Sequence, residues 1–382
     1  MLEKIIKIGI LLSLFTPLVI SKSTFYPYIF GKAIFFQILI EILLIFYLIL
    51  IIQKPEFQPK LNPLNIALLI YFLVFILTTL TGLDPIRSFW STQERMTGTF
   101  NLLHFGVFFL ILGNVFKTKK DWFWLLRTSL LASALVSIYG LFHFSLGLKS
   151  TLGNPGFLAA YLLFNIFFAL FLIIKDEKIF WRIPYSLVFF LNLFIFYYAA
   201  RRAAYGGLFI GLFLFLLSLI FTLKTRKRWI VLAFLIIFLI VSANIFWNQK
   251  ERFIAGSKPR EISWAISWNA WQDRFLLGWG PENYIYAFAK HFDPEYAKYT
   301  GEWFDKAHNQ IFETAVTTGL IGLLSYLAVF LIALYNFFRQ KNFLFFSLLV
   351  AYFITNLFWF DTTSSLIPFF ITLSLCQKNI FS

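Results

Sequence analysis

Arginines and one histidine carry most of the chemistry this sequence offers. Arg87, Arg95, Arg201 and Arg202 lie in short connections between apolar segments, and Arg252, Arg260 and Arg274 lie in one longer polar stretch. A guanidinium presents a planar fork that grips phosphate oxygens two at a time, whereas an ammonium is a point charge. A set of arginines on one side of the chain therefore suits a phosphate or pyrophosphate ligand. Taken singly, each could instead snorkel to lipid phosphates or pair with carboxylates such as Glu94 and Asp273. His308 ends the polar stretch, directly before Asn309 and a long apolar run. A neutral imidazole suits proton transfer near pH 7, and a helix start favours anions through its dipole and free N–H groups. Glu41, His104 and His143 fall inside apolar segments, and buried hydrogen-bonded roles fit both histidines. The pair Asp293 and Glu295 lacks a histidine at ligand spacing, so no metal site is expected there. A lone cysteine, Cys376, excludes a disulfide framework. There is no Gly-rich nucleotide loop, no His-Glu-x-x-His and no nucleophile elbow, so ATP-driven transport and hydrolysis by those routes lack support.

The elements that must hold these residues are membrane helices. Of 382 residues, 60% are hydrophobic and only 13% charged, where a soluble chain carries about a quarter charged. Apolar runs near the ~20 residues that span a bilayer recur from end to end, at roughly 5–20, 33–52, 64–80, 99–116, 124–146, 157–174, 183–200, 203–223, 229–246, 310–338, 343–360 and 363–376. The expectation is an all-α, polytopic bundle of about twelve transmembrane helices: nine in 1–246, a large outer loop at 247–309, and three in 310–382. The start of the chain reads as a retained first helix, because no small-residue cleavage site follows it. With the N-terminus inside, seventeen Lys and Arg fall in inner connections and seven in the short outer ones. That excess places both termini in the cytoplasm. The net charge of +15 would suggest nucleic acid in a soluble protein; here orientation and anionic membrane lipids account for it, and no nucleic-acid partner is expected.

In this topology every even-numbered helix starts at the outer face. The fourth follows Arg95 to Gly98, the sixth Asn154-Pro155, the eighth Arg201-Arg202 and the tenth His308-Asn309. Asn154 and Asn309 are suitable caps, and Pro155 suits a first helical turn. Within the outer loop, Trp264, Trp268, Trp271 and Phe275 fall at i, i+4, i+7 and i+11, opposite Ser263, Ser267, Asn269 and Gln272. This pattern predicts a helix lying at the outer interface, either as an anchor or in contact with lipid substrate. Gly278, Gly280 and Pro281 break it before a second amphipathic stretch, 282–292.

Three blocks resemble the O-antigen ligase and polymerase family. His308-Asn309, a nine-residue spacer and Gly319-Leu-Ile-Gly322 resemble its His-Asn, spacer, Gly-x-x-Gly signature. Arg201-Arg202-Ala203-Ala204-Tyr205 resembles its Ser-Arg-Ala/Gly block, with Arg201 where the family has Ser, and register places the family's arginine at Arg202. Arg260-x-x-x-Trp264 and Leu277-Gly278-x-Gly280-Pro281 resemble its large-loop block. The resemblance implies an integral glycosyltransferase that moves a glycan from a polyprenyl (undecaprenyl) pyrophosphate carrier to an acceptor hydroxyl at the outer face of the cytoplasmic membrane, without metal or other cofactor. Arg202, Arg260, Arg201, Arg95 and Arg274 would bind the donor and His308 would act as general base. Ligase, polymerase and protein oligosaccharyltransferase remain alternatives within the family. A transporter or flippase of a lipid-linked anion would share the arginines, but its usual repeated halves are not seen.

Overall fold

The computed structural model describes residues 1–144, 148–199, 202–224, 226–254, 258–301 and 303–377, with the backbone alone at 241, 242, 245, 246 and 248–254. Among them are fifteen α-helices and no strand: α1 (Leu2–Ser13), α2 (Phe30–Gln53), α3 (Pro63–Thr81), α4 (Pro85–Trp90), α5 (Thr99–Val115), α6 (Lys119–Phe142), α7 (Pro155–Lys175), α8 (Ile179–Ala199), α9 (Arg202–Thr222), α10 (Arg226–Ile254), α11 (Lys258–Asp273), α12 (Tyr284–Lys290), α13 (Gln310–Arg339), α14 (Phe343–Asn356) and α15 (Thr363–Leu375). Each expected apolar segment contains a helix. Seven of these helices, α2, α3, α6, α7, α8, α9 and α13, are long and apolar enough to cross a membrane, and α5, α14 and α15 are shorter apolar helices. The structure thus gives a multi-helix membrane bundle without fixing the count at twelve.

Boundaries differ from the apolar runs where local chemistry intervenes. Helix α1 ends at Ser13 and not near 20, because Pro17 enters a separate 3-10 turn at Thr16–Leu18. Helix α10 continues to Ile254, eight residues into the stretch expected as loop. Helix α14 stops at Asn356, freeing Trp359 and Phe360 to pack elsewhere. Helix α7 is buried along most of its length, whereas α8 and α9 turn most of their apolar surface outward, as lipid contact requires.

The starts of the even-numbered apolar helices do gather at one end of the bundle. Asn154 caps α7 by accepting the Gly156 N–H at 2.7 Å, and Asn309 caps α13 by accepting from Ile311 and Phe312 at 2.9 and 3.3 Å. Near the start of α2, Lys32 donates to Thr151 O, just before α7, at 2.7 Å. In the first turn of α5, Asn101 donates to Thr363 in the first turn of α15 at 3.4 Å. Gly207 of α9 packs against Thr355 of α14, and Gly156 of α7 lies beneath the indole of Trp359, in each case too closely for a Cβ.

The segment after α10 folds on its own small core of Ile266, Ala270, Trp279, Tyr284, Ala287, Phe288 and Tyr296 against Val316 of α13. Helix α11 forms where the aromatic spacing predicts it, but the serine face is the buried one. Ser263 and Ser267 are fully buried and share the Tyr284 hydroxyl at 3.2 and 2.8 Å. A phenol satisfies both hydroxyls, so a face that reads as polar can turn inward. Trp264 stacks on Phe312 and lies tilted against Phe358, while Trp268 and Phe275 are exposed, as are Asn269 and Gln272.

Candidate active site

The histidine and glycine blocks are one structure, because α13 is broken within its first three turns. Gly319 adopts φ 67° and ψ −167°, a conformation open essentially to glycine alone. The break releases two carbonyls and two amides, and the segment after α11 takes them up. Trp279 and Gly280 N–H donate to Val316 O and Thr317 O at 2.8 Å each, while Leu320 and Ile321 N–H donate to Phe275 O and Leu276 O at 2.8 and 3.3 Å. A Cβ on Gly319 would strike Leu276 O, and one on Gly278 would sit 2.5 Å from the Thr317 carbonyl carbon. Gly322 has a helical backbone; its hydrogen makes room for the Thr318 side chain. These glycines position the site by letting two backbones meet.

Next to this crossing lies a buried charge cluster. The Lys306 ammonium is 8% exposed and sits 2.5 Å from Glu282 Oε1 and 3.2 Å from Glu313 Oε1. Glu282 also accepts from the Ser91 and Thr97 hydroxyls at 2.8 and 2.9 Å, and Glu313 Oε2 accepts the Ala307 N–H at 2.8 Å. Burial alone would drive the proton off Lys306, but the charges of Glu282 and Glu313 outweigh it and hold the ammonium firmly ionised. Burial likewise favours the neutral form of Glu282, and the Lys306 charge with three hydrogen bonds reverses this, leaving its carboxyl below the usual range. One residue before Lys306, Asp305 takes a two-pronged contact from Arg95 Nε and Nη2 at 2.7 and 2.8 Å. A cavity of about 70 Å³, room for several waters, lies beneath Lys306, walled by Thr97, Glu282, Glu313, Phe360 and Asp361. Asp361 is held by the Tyr352 hydroxyl and by Asn356 Nδ2 at 3.1 Å.

His308 follows this cluster with a left-handed backbone, φ 49°, at a cost of order 1 kcal/mol for a residue other than glycine. Its ring packs between Phe304, Phe360 and Trp359, with centroids 4.4, 5.2 and 5.7 Å away. No hydrogen bond from the described residues reaches its ring nitrogens. Burial first, then the positive charges of Arg260 and Arg95, lower its pKa to about 4; Asp305 opposes the shift without cancelling it. The imidazole is therefore neutral at pH 7.

The other expected residues divide into those at this centre and those beside it. Arg260, in the first turn of α11, acts on His308 through its charge. Arg202 opens α9, whose Gly207 meets the end of α14 just before the Trp359-Phe360 wall. Arg201 lies outside the described residues, as does the side chain of Arg252. Arg95 is at the centre, but Asp305 occupies most of its fork and its guanidinium lies 5.3 Å from the Phe360 ring. Arg274 donates to Thr81 O at 3.5 Å and stacks 5.3 Å from Trp279, tying it to the end of α3. Arg87 supports the cluster from outside, donating through Nε to Glu282 O at 2.8 Å. Asp273 pairs with Lys290 and His291, not with an arginine, and Asp293 caps the turn at Pro294–Lys298. His104 is buried and bonded to Glu41 at 3.0 Å as expected; His143 instead is exposed at the end of α6, stacked on Tyr139.

Sequence reasoning missed Lys306, Glu282, Asp305, Glu313 and Asp361. One signal pointed to Glu313, an ionisable residue within an apolar helix, three residues past its start. Its partners come from elsewhere in the chain and left no local trace.

Fold and site together define a polytopic helical membrane protein with a buried charge cluster, a neutral histidine and several arginines at one end of its bundle. Residues 187–327 match the family described as O-antigen ligase, which bears out the resemblance of the three blocks. The match contains Arg202, Arg260, Lys306, His308 and both glycines of α13. No curated protein matches the chain.

Proposed function

We propose that this protein is a membrane glycan transferase of the O-antigen ligase type, moving a glycan from a polyprenyl pyrophosphate carrier to an acceptor hydroxyl. The observation that carries this reading is His308, a neutral imidazole without a hydrogen-bond partner among the described residues, in the positive field of Arg260 and Arg95, inside the matched segment. Arg260 and Arg202 grip the pyrophosphate. The acceptor oxygen attacks the anomeric carbon and its proton passes to a ring nitrogen of His308. The bond from that carbon to the pyrophosphate oxygen breaks, and the electron pair leaves on the pyrophosphate, where the arginines stabilise it. A pKa near 4 makes free His308 a weak base; a bound pyrophosphate offsets the arginine charges and raises its basicity when the donor is in place. Arg95, held by Asp305, acts on the histidine more than on the donor, and Arg274 stands apart from the transfer centre.

In this reading the His308 end faces outward across the cytoplasmic membrane and both termini lie inside, following the distribution of Lys and Arg. Single cysteines at Gly301 and Lys227 in a Cys376→Ser background test the orientation with a membrane-impermeant thiol reagent in intact cells. Labelling at 301 alone is expected, and labelling at 227 alone overturns it. Incubating purified protein with lipid-linked glycan and candidate acceptors tests the activity itself; release or transfer of glycan is expected from the parent chain, and transfer at the parent rate by His308→Ala refutes the role of the histidine.

A further inference from the structure

Lys306 has no part in the chemistry above, yet two buried carboxylates converge on its ammonium. Its ammonium joins Glu282, which follows the glycine block 278–281, to Glu313 in the first turn of α13. Glu282 and His308 both have left-handed backbones, φ 63° and 49°, although neither is glycine. Such conformations persist where surrounding contacts over-determine them, and they collect at functional sites. Such contacts surround His308: Lys306 is held by two carboxylates, the Ala307 N–H by Glu313, and Asn309 by its cap on Ile311 and Phe312. Every neighbour of His308 from 305 to 309 is bonded, while among the described residues its own ring is placed by aromatic packing.

We infer that Lys306 is a positioning residue for His308: locked between Glu282 and Glu313, it fixes the 305–309 turn in the backbone conformation that aims the imidazole at the acceptor hydroxyl. The inference rests on the proposed role of His308 as proton acceptor. It separates Lys306 from a simple fastener of the loop, because its loss acts through the histidine.

Lys306→Met, measured in the full-length protein, is expected to lower kcat for glycan transfer about 10- to 100-fold, the scale of a misplacement near 1 Å. The KM for the lipid-linked donor should stay within about threefold, since Arg202 and Arg260 remain. Adding Lys306→Met to His308→Ala should cost nothing further, as two changes in one functional unit do not add. Lys306→Met/Glu282→Gln removes a positive and a negative charge together, and serves if the single variant strands two carboxylates and does not fold. Additive losses in the double variant, a change confined to donor KM, or parent turnover each overturn the inference. So does failure of both Lys306 variants to fold, which would make the cluster a stability element. Failure of the His308 role itself appears separately, as a His308→Ala chain that transfers at the parent rate with Lys306 intact.

Discussion

An ion pair lies near each end of α7, a helix of 21 residues and so about 30 Å long, and the two are built differently. At the C-terminal end Asp176 takes Arg127 Nη2 at 2.6 Å and the Tyr185 hydroxyl at 2.8 Å, while Arg182 donates to the Asp176 carbonyl. Arg127 also lies over the rings of Trp181 and Trp124. That cluster is closed on itself, with ordinary backbone. At the N-terminal end, beyond the Trp359 indole that covers Gly156, the Lys306 cluster lines a cavity, sits among residues with left-handed backbones and borders a histidine whose ring takes no hydrogen bond from the described residues. A closed pair fastens helices. An ion cluster beside strain, a cavity and a histidine ring with no hydrogen bond from the described residues marks a candidate functional site.

The strongest test of that contrast is His308→Ala, expected to cut transfer by roughly 10²- to 10⁴-fold, the range for loss of a general base, while equilibrium binding of the lipid-linked donor is retained. Loss of donor binding instead would move His308 from proton transfer to recognition. Arg260→Lys and Arg202→Lys keep charge and lose the fork, and a fall in turnover of about 10- to 100-fold is expected on the scale of lost charge-assisted hydrogen bonds. Parent turnover in both lysine variants would remove the pyrophosphate from those residues.

The pH profile sharpens the comparison further. With His308 near 4, kcat/KM should be level from pH 7 to about 5 and fall as pH drops through about 4, where the free enzyme's imidazole takes up a proton. Arg95→Met removes a positive neighbour and leaves Asp305 unpaired; both changes favour the imidazolium, so the acid limb should move upward, toward the ordinary value near 6.5. A limb that moves downward contradicts the assigned electrostatics. The same shift affects stability: between about 4 and 6.5 the unfolded chain binds a proton at this position that the folded chain refuses. Stability from His308 is therefore full above 6.5 and declines as pH falls toward 4. Asp176→Asn, at the closed end, should cost on the order of 1–3 kcal/mol of stability for a weakened buried contact, seen as a lower melting midpoint, and leave turnover per folded molecule unchanged. Reduced turnover there would erase the distinction between the two ends. The smallest expected effect is that of a chelator, which should leave transfer at its original rate.

Helices were legible in the sequence because apolar runs, proline and capping residues act within a few positions. Asn154, Pro155 and Asn309 cap or open helices as their types predict, and each of the twelve apolar runs contains a helix. Histidine, arginine and glycine blocks were legible too, since their spacing resembles one family, and residues 187–327 match it. What the glycines do was not: Gly319 looks like a helix residue until the 275–280 segment is seen hydrogen-bonding into the break it makes. Nor was the inward turn of the serine face of α11, which depends on one phenol 17 residues beyond Ser267. The charge cluster lay deepest, because Arg95 meets Asp305 across 210 positions and Glu282, Lys306 and Glu313 come from a loop and a helix that meet only when α13 bends. Periodicity and capping are local and survive in the order of residues. Which charge compensates which is settled only when burial removes water and brings distant carboxylates and cations within 3 Å of one another.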